Sequence, residues 1–259
     1  MPMLSRSAVR ILQYRYLFSG ITVLVSRDSL DLPNEALVRR CLDNQLASDW
    51  FCEPALDYTT LMLEDDAPEL SGYRWIPLRE YFAGGKPDVP RATRAMSLLK
   101  WRRNTRFCGT CGGALHDSTE ETARKCILCG RIVFPTIEPA VIVLVRREGE
   151  LLLARHAQRN TNVFTCLAGF VEQGETIEQC VVREIREETG IEIKNLRYVG
   201  SQSWPFPDQL MLAFKADWAS GEPTPDKTEI AELRWFKQDA LPSIPPRGSV
   251  AYRLIMDKE

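Results

Sequence analysis

The stretch GFVEQGETIEQCVVREIREETGI, residues 169–191, decides the fold. Its periodicity predicts a helix over residues 176–189 that stops at Gly190, because a glycine accepts the left-handed conformation that closes a helix. Ile177, Val181 and Ile185 make one apolar stripe able to pack beneath a sheet. Glu184, Glu187 and Glu188 stand at i, i+3 and i+4 and so share another face. Carboxylates about 5 Å apart repel by roughly 3 kcal/mol per pair at an effective dielectric of about 20, and by about 1 kcal/mol in water. The cluster is therefore costly wherever it is partly buried. Arg183 and Arg186 offset part of that cost; a hard dication, Mg²⁺ or Mn²⁺, is the fuller solution and also bridges phosphates. A solvated Glu/Arg helix is the plainer alternative. The loop ahead of the helix favours a ligand site, since Gly169 and Gly174 let backbone approach a ligand and Glu175 stands at the helix start.

Outward from this helix the pattern is that of buried strands. Residues 140–145 and 151–154 are apolar runs joined through Glu148-Gly149, which reads as a hairpin. Further strands are expected at 196–200, 210–216 and 233–237, and a last short helix at 250–256. Residues 137–259 are thus an α/β sandwich. In Ser201-Gln-Ser-Trp-Pro-Phe-Pro-Asp-Gln209, Trp204 and Phe206 each precede a proline, which biases both to extended backbone and keeps the segment out of a central strand. Two rigid rings on one side suit stacking on a base; filling the core is the competing role.

Upstream, Cys108-Gly-Thr-Cys111 and Cys126-Ile-Leu-Cys129 form two C-x2-C pairs, with 14 residues between them. Glycines beside each pair permit tight turns, and four thiolates so spaced can converge on one Zn²⁺. With every position taken by sulfur no site is left for water, so the zinc is expected to be structural. The remaining cysteines, Cys41, Cys52, Cys166 and Cys180, read as reduced, partly buried apolar residues. Between residues 91 and 106 lie six basic residues (Arg91, Arg94, Lys100, Arg102, Arg103, Arg106) and no acid. This is expected to be a helix, either a solvated face or a phosphate contact. Residues 1–90 carry 13 acids against 9 bases among short apolar runs and suggest a small α/β or mostly β domain. The expected division is an N-terminal domain at 1–90, basic helix and zinc ribbon at 91–136, and a catalytic domain at 137–259.

Composition narrows the partners. The chain has 259 residues, 33 Lys+Arg against 35 Asp+Glu and a net charge of -2, which argues against coating nucleic acid over the whole surface. No apolar run reaches the length of about 18 residues that marks a membrane span. Arg6, Arg10 and Arg15 interrupt the N-terminus, so no secretory leader is expected and the cytoplasm is the natural location.

Gly169, five residues, Glu175, seven residues and Arg183-Glu-Ile-Arg-Glu-Glu-Thr-Gly-Ile191 resemble the Nudix box at every specified position. With the cysteine pairs and residues 201–209, the chain from about 105 to 255 resembles the NADH pyrophosphatase branch of the Nudix hydrolases, the NudC type, whose motif is S-Q-P-W-P-F-P-x-S. Ser203 and Gln209 depart from that motif. The resemblance implies a Nudix α/β/α sandwich and Mg²⁺- or Mn²⁺-dependent cleavage of NAD(H) to nicotinamide mononucleotide and AMP. It also implies removal of the NAD cap from RNA 5′ ends, leaving a 5′-monophosphate, and a homodimer. It further implies that Arg183 orients Glu175, and that the Ala168 carbonyl with Glu184, Glu187, Glu188 and the distant Glu229 holds the metal. Substrate contacts are implied for Phe170, for Gln202, Ser203, Trp204, Pro205, Phe206, Pro207, Asp208 and Gln209, and for Glu121, Phe134, Ala251 and Arg79. Phe134 stands where a tyrosine is common, so a hydroxyl contact would be lost. Which carboxylate deprotonates the water stays open. A Nudix hydrolase for ADP-ribose or dinucleoside polyphosphates, and a non-catalytic zinc-containing NAD sensor, are the rival readings.

Overall fold

The computed structural model describes residues 10–64, 70–158, 161–206 and 208–257. Two compact units divide the chain at Thr136 and Ile137. Among the described residues no helix is long and apolar enough to cross a membrane.

In the first unit, β1 (Tyr14–Ser19), β2 (Thr22–Ser26), β3 (Ala47–Glu53), β4 (Tyr58–Leu63) and β5 (Tyr73–Pro77) form one sheet in the order β3-β4-β1-β2-β5. β1 runs parallel to β4 and the other pairs are antiparallel. The helix α1 (Glu35–Asp43), capped by the Asn34 side chain on the Leu37 N–H, buries Leu37, Val38, Cys41 and Leu42 against Leu17, Leu24 and Leu61. After α2 (Leu78–Ala83) comes α3 (Val89–Asn104), the helix of the basic run. Its apolar side, from Ala92 to Trp101, is buried, and Asp88 just before it accepts hydrogen bonds from the Tyr16 and Tyr81 hydroxyls at 2.8 and 2.7 Å. A three-stranded ribbon follows, β6 (Leu115–Asp117), β7 (Arg124–Cys126) and β8 (Ile132–Val133).

The second unit is built on β9 (Glu138–Arg147), whose alternate residues feed two cores. Ala140, Ile142 and Leu144 pack with α5 (Val250–Met256), and Val141, Val143 and Val145 with α4 (Ile177–Thr189). A strand buried on both faces reads as a continuous apolar run, which is how residues 140–145 read. The sheet order is β12-β13-β9-β10-β14, with β11 (Leu167–Phe170) also paired to β9. β10 is Glu150–His156, β12 Glu192–Trp204, β13 Gln209–Ser220 and β14 Ile230–Lys237. Helices on both faces of this mixed sheet make the α/β/α sandwich that the box implies. The hairpin turn is Glu148-Gly149 as expected, with φ of 50° and 85°, the pair of positive values that a two-residue type I′ turn requires.

Candidate active site

The helix α4 begins and ends where local chemistry dictates. The Thr176 side chain accepts from the Gln179 N–H while the Gln179 side chain accepts from the Thr176 N–H, a reciprocal cap, and Gly190 closes the helix at φ 70°. Cys180, Val181 and Ile185 are buried under the sheet. That packing fixes the rotation of the helix and so aims its charged residues.

Arg183 is the hub. Its guanidinium grips Glu175 with two nitrogens, Nη2 at 2.7 Å and Nε at 3.1 Å, and Nη2 also donates to the Phe170 carbonyl at 2.9 Å. Nη1 donates to Glu184 at 2.8 Å and to Glu187 at 3.1 Å. Glu175 in turn accepts from the Glu172 N–H at 2.6 Å, tying the loop to the helix. The Arg183 hydrogen bonds, then that N–H, hold the Glu175 carboxyl down at about 2, so it stays anionic throughout the physiological range.

Glu188 has the opposite environment. It is 4% exposed, and among the described residues its Oε2 has no hydrogen-bond partner. Burial first, then the charges of Glu184, Glu229, Asp226 and Glu187, push its carboxyl up to about 8. Glu184 is raised as well, by burial. Glu187, by contrast, is 60% exposed, so the shared face predicted from spacing grades from buried to open. Among the described residues only the four cysteines bring their ligand atoms within 4.8 Å of one another; Glu184 and Glu187 are turned to Arg183 instead.

Glu229 is 41 residues from Glu188 in sequence, yet its charge reaches both Glu184 and Glu188. A residue that spacing did not single out, Asp226, arranges this. Its carboxylate accepts from the N–H groups of Glu229 and Ile230, at 3.1 and 2.8 Å, and from the Thr228 hydroxyl. The Glu229 carbonyl accepts from the Ala157 N–H at 2.7 Å. An aspartate three residues before the glutamate, able to close a local turn, is the signal that could have marked it.

Gly169 on β11 is required by contact rather than by backbone angle. A Cβ placed there would lie 1.9 to 2.2 Å from the Glu184 carboxyl group. Gly169→Ala should therefore leave the cores intact but swing Glu184 away, with a loss in kcat/KM of about a hundredfold and a melting temperature within a few degrees of wild type. Full activity in this variant would mean that Glu184 need not sit against β11.

Residues 201–204 end β12, an edge strand, which agrees with the proline argument. Trp204 and Phe206 meet edge to face, 5.1 Å between centroids, and Trp204 is partly buried against the core that contains Ala251. Core filling and ring exposure are thus combined rather than exclusive. Pro205 is buried, Ser203 exposed, and Asp208 and Gln209 are half-buried at the start of β13. Pro207 lies outside the described residues. Phe170, at the end of β11, is 48% exposed.

The Gln202 amide, expected to face substrate, is engaged by protein. Its Nε2 donates to the Gly248 carbonyl at 2.8 Å and its Oε1 accepts from the Val250 N–H at 2.7 Å. It clamps the start of α5, one residue from Ala251. Gln202→Leu should raise KM about tenfold with a smaller change in kcat, and Gln202→Glu, which keeps only the acceptor, should fall between; equal kinetics for all three would remove the clamp from the site.

Glu121, Phe134 and Arg79 belong to the first unit, all three exposed. The ribbon there holds its four sulfurs close, with Cys108 to Cys129 at 3.7 Å and Cys111 to Cys126 at 3.5 Å. Tetrahedral zinc with thiolate bonds of about 2.3 Å needs edges near about 3.8 Å. Backbone N–H groups of Thr110 and Cys111 hold the Cys108 thiol below its ordinary value. Half of the basic run is engaged within its own unit. Arg94 binds Glu53 through both nitrogens, Arg102 binds Asp49 and Asp117, and Arg91 lies over the Tyr14 ring. Arg103 and Arg106 remain exposed, so the face is partly engaged by protein and partly open.

Comparison with known proteins agrees with this geometry. Residues 136–257 match the NUDIX domain and residues 103–134 the NADH pyrophosphatase zinc ribbon domain. The chain is 46% identical over 196 residues to the NAD-capped RNA hydrolase NudC of Pseudomonas aeruginosa, covering 75% of this chain and 70% of that protein. To the protein of the same name in Salmonella heidelberg it is 51% identical over 166 residues, covering 64% of this chain and 65% of the other. Among solved structures, a NUDIX hydrolase from Nitrosomonas europaea superposes with a TM-score of 0.51 at 26% identity, over 59% of this chain and 89% of that one. The box, the fold and the four-cysteine ribbon therefore agree, and the chain belongs to the Nudix hydrolases, in the branch that carries the NADH pyrophosphatase zinc ribbon.

Proposed function

We propose that the chain hydrolyses the diphosphate bond of NAD(H) to nicotinamide mononucleotide and AMP, and removes the NAD cap from RNA to leave a 5′-monophosphate. The observation that carries this reading is the unpartnered, buried Oε2 of Glu188 among the charges of Glu184, Glu229 and Asp226. That carboxyl ionises at neutral pH only when a cation joins it, and an all-oxygen donor set suits Mg²⁺ or Mn²⁺. Glu184, Glu187, Glu188, Glu229 and the Ala168 carbonyl are the residues we assign to hold it. When bound, a dication there supplies charge neutralisation for the diphosphate and an acidified water.

The protein's own groups do the rest. Arg183 holds Glu175 and the loop from Phe170 to Glu175 in place, so the carboxylates meet substrate already oriented. One of Glu175, Glu184, Glu187 and Glu188 takes the proton of the attacking water. Trp204 and Phe206 offer ring faces and edges to a base or nicotinamide, Phe170 offers a second ring, and Gln202 sets α5 and Ala251 beside them. The relatives named above act on NAD-capped RNA, which supports the choice of dinucleotide. We also place the protein in the cytoplasm and read it as a homodimer, which light scattering on the eluting peak would test.

Chromatography of the products from NAD, NADH, ADP-ribose and NAD-capped RNA, each with Mn²⁺ or Mg²⁺, tests the substrate. Nicotinamide mononucleotide and AMP are expected from NADH, and 5′-monophosphate RNA from the capped strand. Faster cleavage of ADP-ribose than of either would overturn the reading.

A further inference from the structure

A capped RNA trails a chain of phosphates away from the bond that is cut, and those phosphates attract cations. In the first unit, Arg91, Arg94 and Arg102 are already engaged by protein groups. The second unit is acidic, with 15 basic against 19 acidic residues between 137 and 259. One groove in it breaks that balance.

This groove, about 510 Å³, gathers Arg146, Arg147, Lys194 and Arg197, with Glu148 and Asp217 as the acids and Trp218 and Gln238 on its walls. Two of its cations are pinned. Arg147 lies 4.2 Å from the Trp235 ring centroid and 5.5 Å from that of Trp218, with Glu150 at 3.7 Å, and Arg146 donates to the Asp257 carbonyl at 2.8 Å. The other two, Lys194 and Arg197, are exposed on edge strand β12. Neither makes an ion pair among the described residues. Of the two acids, Asp217 already accepts from the Asn195 amide at 2.8 Å. A positive groove with an aromatic wall is the arrangement by which proteins follow a single strand, cations on the backbone and a ring for a base.

Its position fits the far part of the same ligand. Along the β9–β13 ladder, the pair Gln209 and Glu138 lies at the end that carries Trp204, and the pair Asp217 and Arg146 at the groove end. Eight residue steps separate the two pairs, a span of roughly 26 Å at about 3.3 Å per residue. We propose that this groove binds phosphates of single-stranded RNA several nucleotides downstream of the cap. The assignment rests on capped RNA being a substrate, and the test separates the two.

The variant carries Lys194→Glu and Arg197→Glu together, both outside the catalytic set and on the surface, where substitutions change stability little. It is assayed on NADH and on NAD-capped RNAs of about three and about twelve nucleotides. The expected result is a loss in kcat/KM of about tenfold on the longer RNA alone, with its log-log salt slope shallower by about 1.4, two single-strand contacts' worth. An equal loss on all three substrates, or none on the longer RNA, overturns the proposal. Fluorescence anisotropy with an uncapped single strand of about twelve nucleotides then isolates the groove. If the wild type binds it and the variant does not, the groove stands even where capped RNA is not cleaved, and only the substrate reading falls. Equal binding by both removes the groove. An oligoglutamate that displaces the strand as well as unlabelled RNA does would assign the groove to acidic peptides instead.

Discussion

Replacing Glu188 with glutamine should lower kcat at least about a hundredfold, because it removes one anion from the donor set proposed for the metal, and yet make the metal-free protein more stable. The second half follows from the buried carboxyl. Its folded value of about 8 lies above the ordinary 4.5, so the folded state holds a proton that the unfolded chain has released. The stability linked to that proton is fully present below about 4.5 and is lost as pH rises through about 8. The loss is on the order of 4 kcal/mol for a group this buried, and Glu188→Gln escapes it. Denaturant melts without metal should therefore coincide below about pH 4.5, separate progressively as pH rises toward about 8, and stay apart above it, the variant being the more stable. Added Mn²⁺ should narrow that gap, raising the wild type more than the variant. A variant that matches wild type in turnover, or loses stability without metal at high pH, would contradict the account.

Removing zinc should have the larger structural effect. The ribbon's own core is Cys108, Leu115 and Cys126 with partly buried Val133, far too little to fold a segment that includes β6, β7 and β8. A structural zinc contributes about 10–16 kcal/mol to such folds, more than any packing available here. Stripping it with a strong chelator, or changing Cys126 to Ser, should leave amides from 107 to 133 exchanging as in an unfolded chain. Protection at Val141, Val143 and Val145 should persist, because the cores they feed contain no ribbon residue. Refilling with zinc should restore wild-type protection and not that of Cys126→Ser. Protection in the ribbon that survives full chelation would show that the sulfurs gather without a metal.

What could be read in the sequence was what neighbouring residues decide. Thr176 and Gly190 bound α4 because caps are local, Glu148-Gly149 turns the hairpin because Gly149 takes a positive φ at no steric cost, and the cysteine knuckles follow from their spacing. What stayed hidden depends on partners far along the chain. Gln202 is held by Gly248 and Val250, and Arg94 and Arg102 are held by Glu53 and Asp49, none of which periodicity can pair. β12 runs from Glu192, earlier than its apolar residues suggest. Pairing to β13 carries it across register shifts near Asn195 and Gly200, where φ is positive. Resemblance implied Glu229 as a distant metal residue, and its approach to Glu184 and Glu188, across 41 residues from the latter, became visible only with the fold.

On the proposed reading, the carboxylates around Glu188 tolerate one another because a dication occupies their midst. Isothermal titration of Mn²⁺ into the metal-free protein near neutral pH tests it most directly, with the zinc left in place. Saturable uptake by the wild type, with protons released as Glu188 ionises and the binding at least about tenfold weaker in Glu188→Gln, is the predicted result. No uptake by the wild type, with or without NADH present, would contradict it.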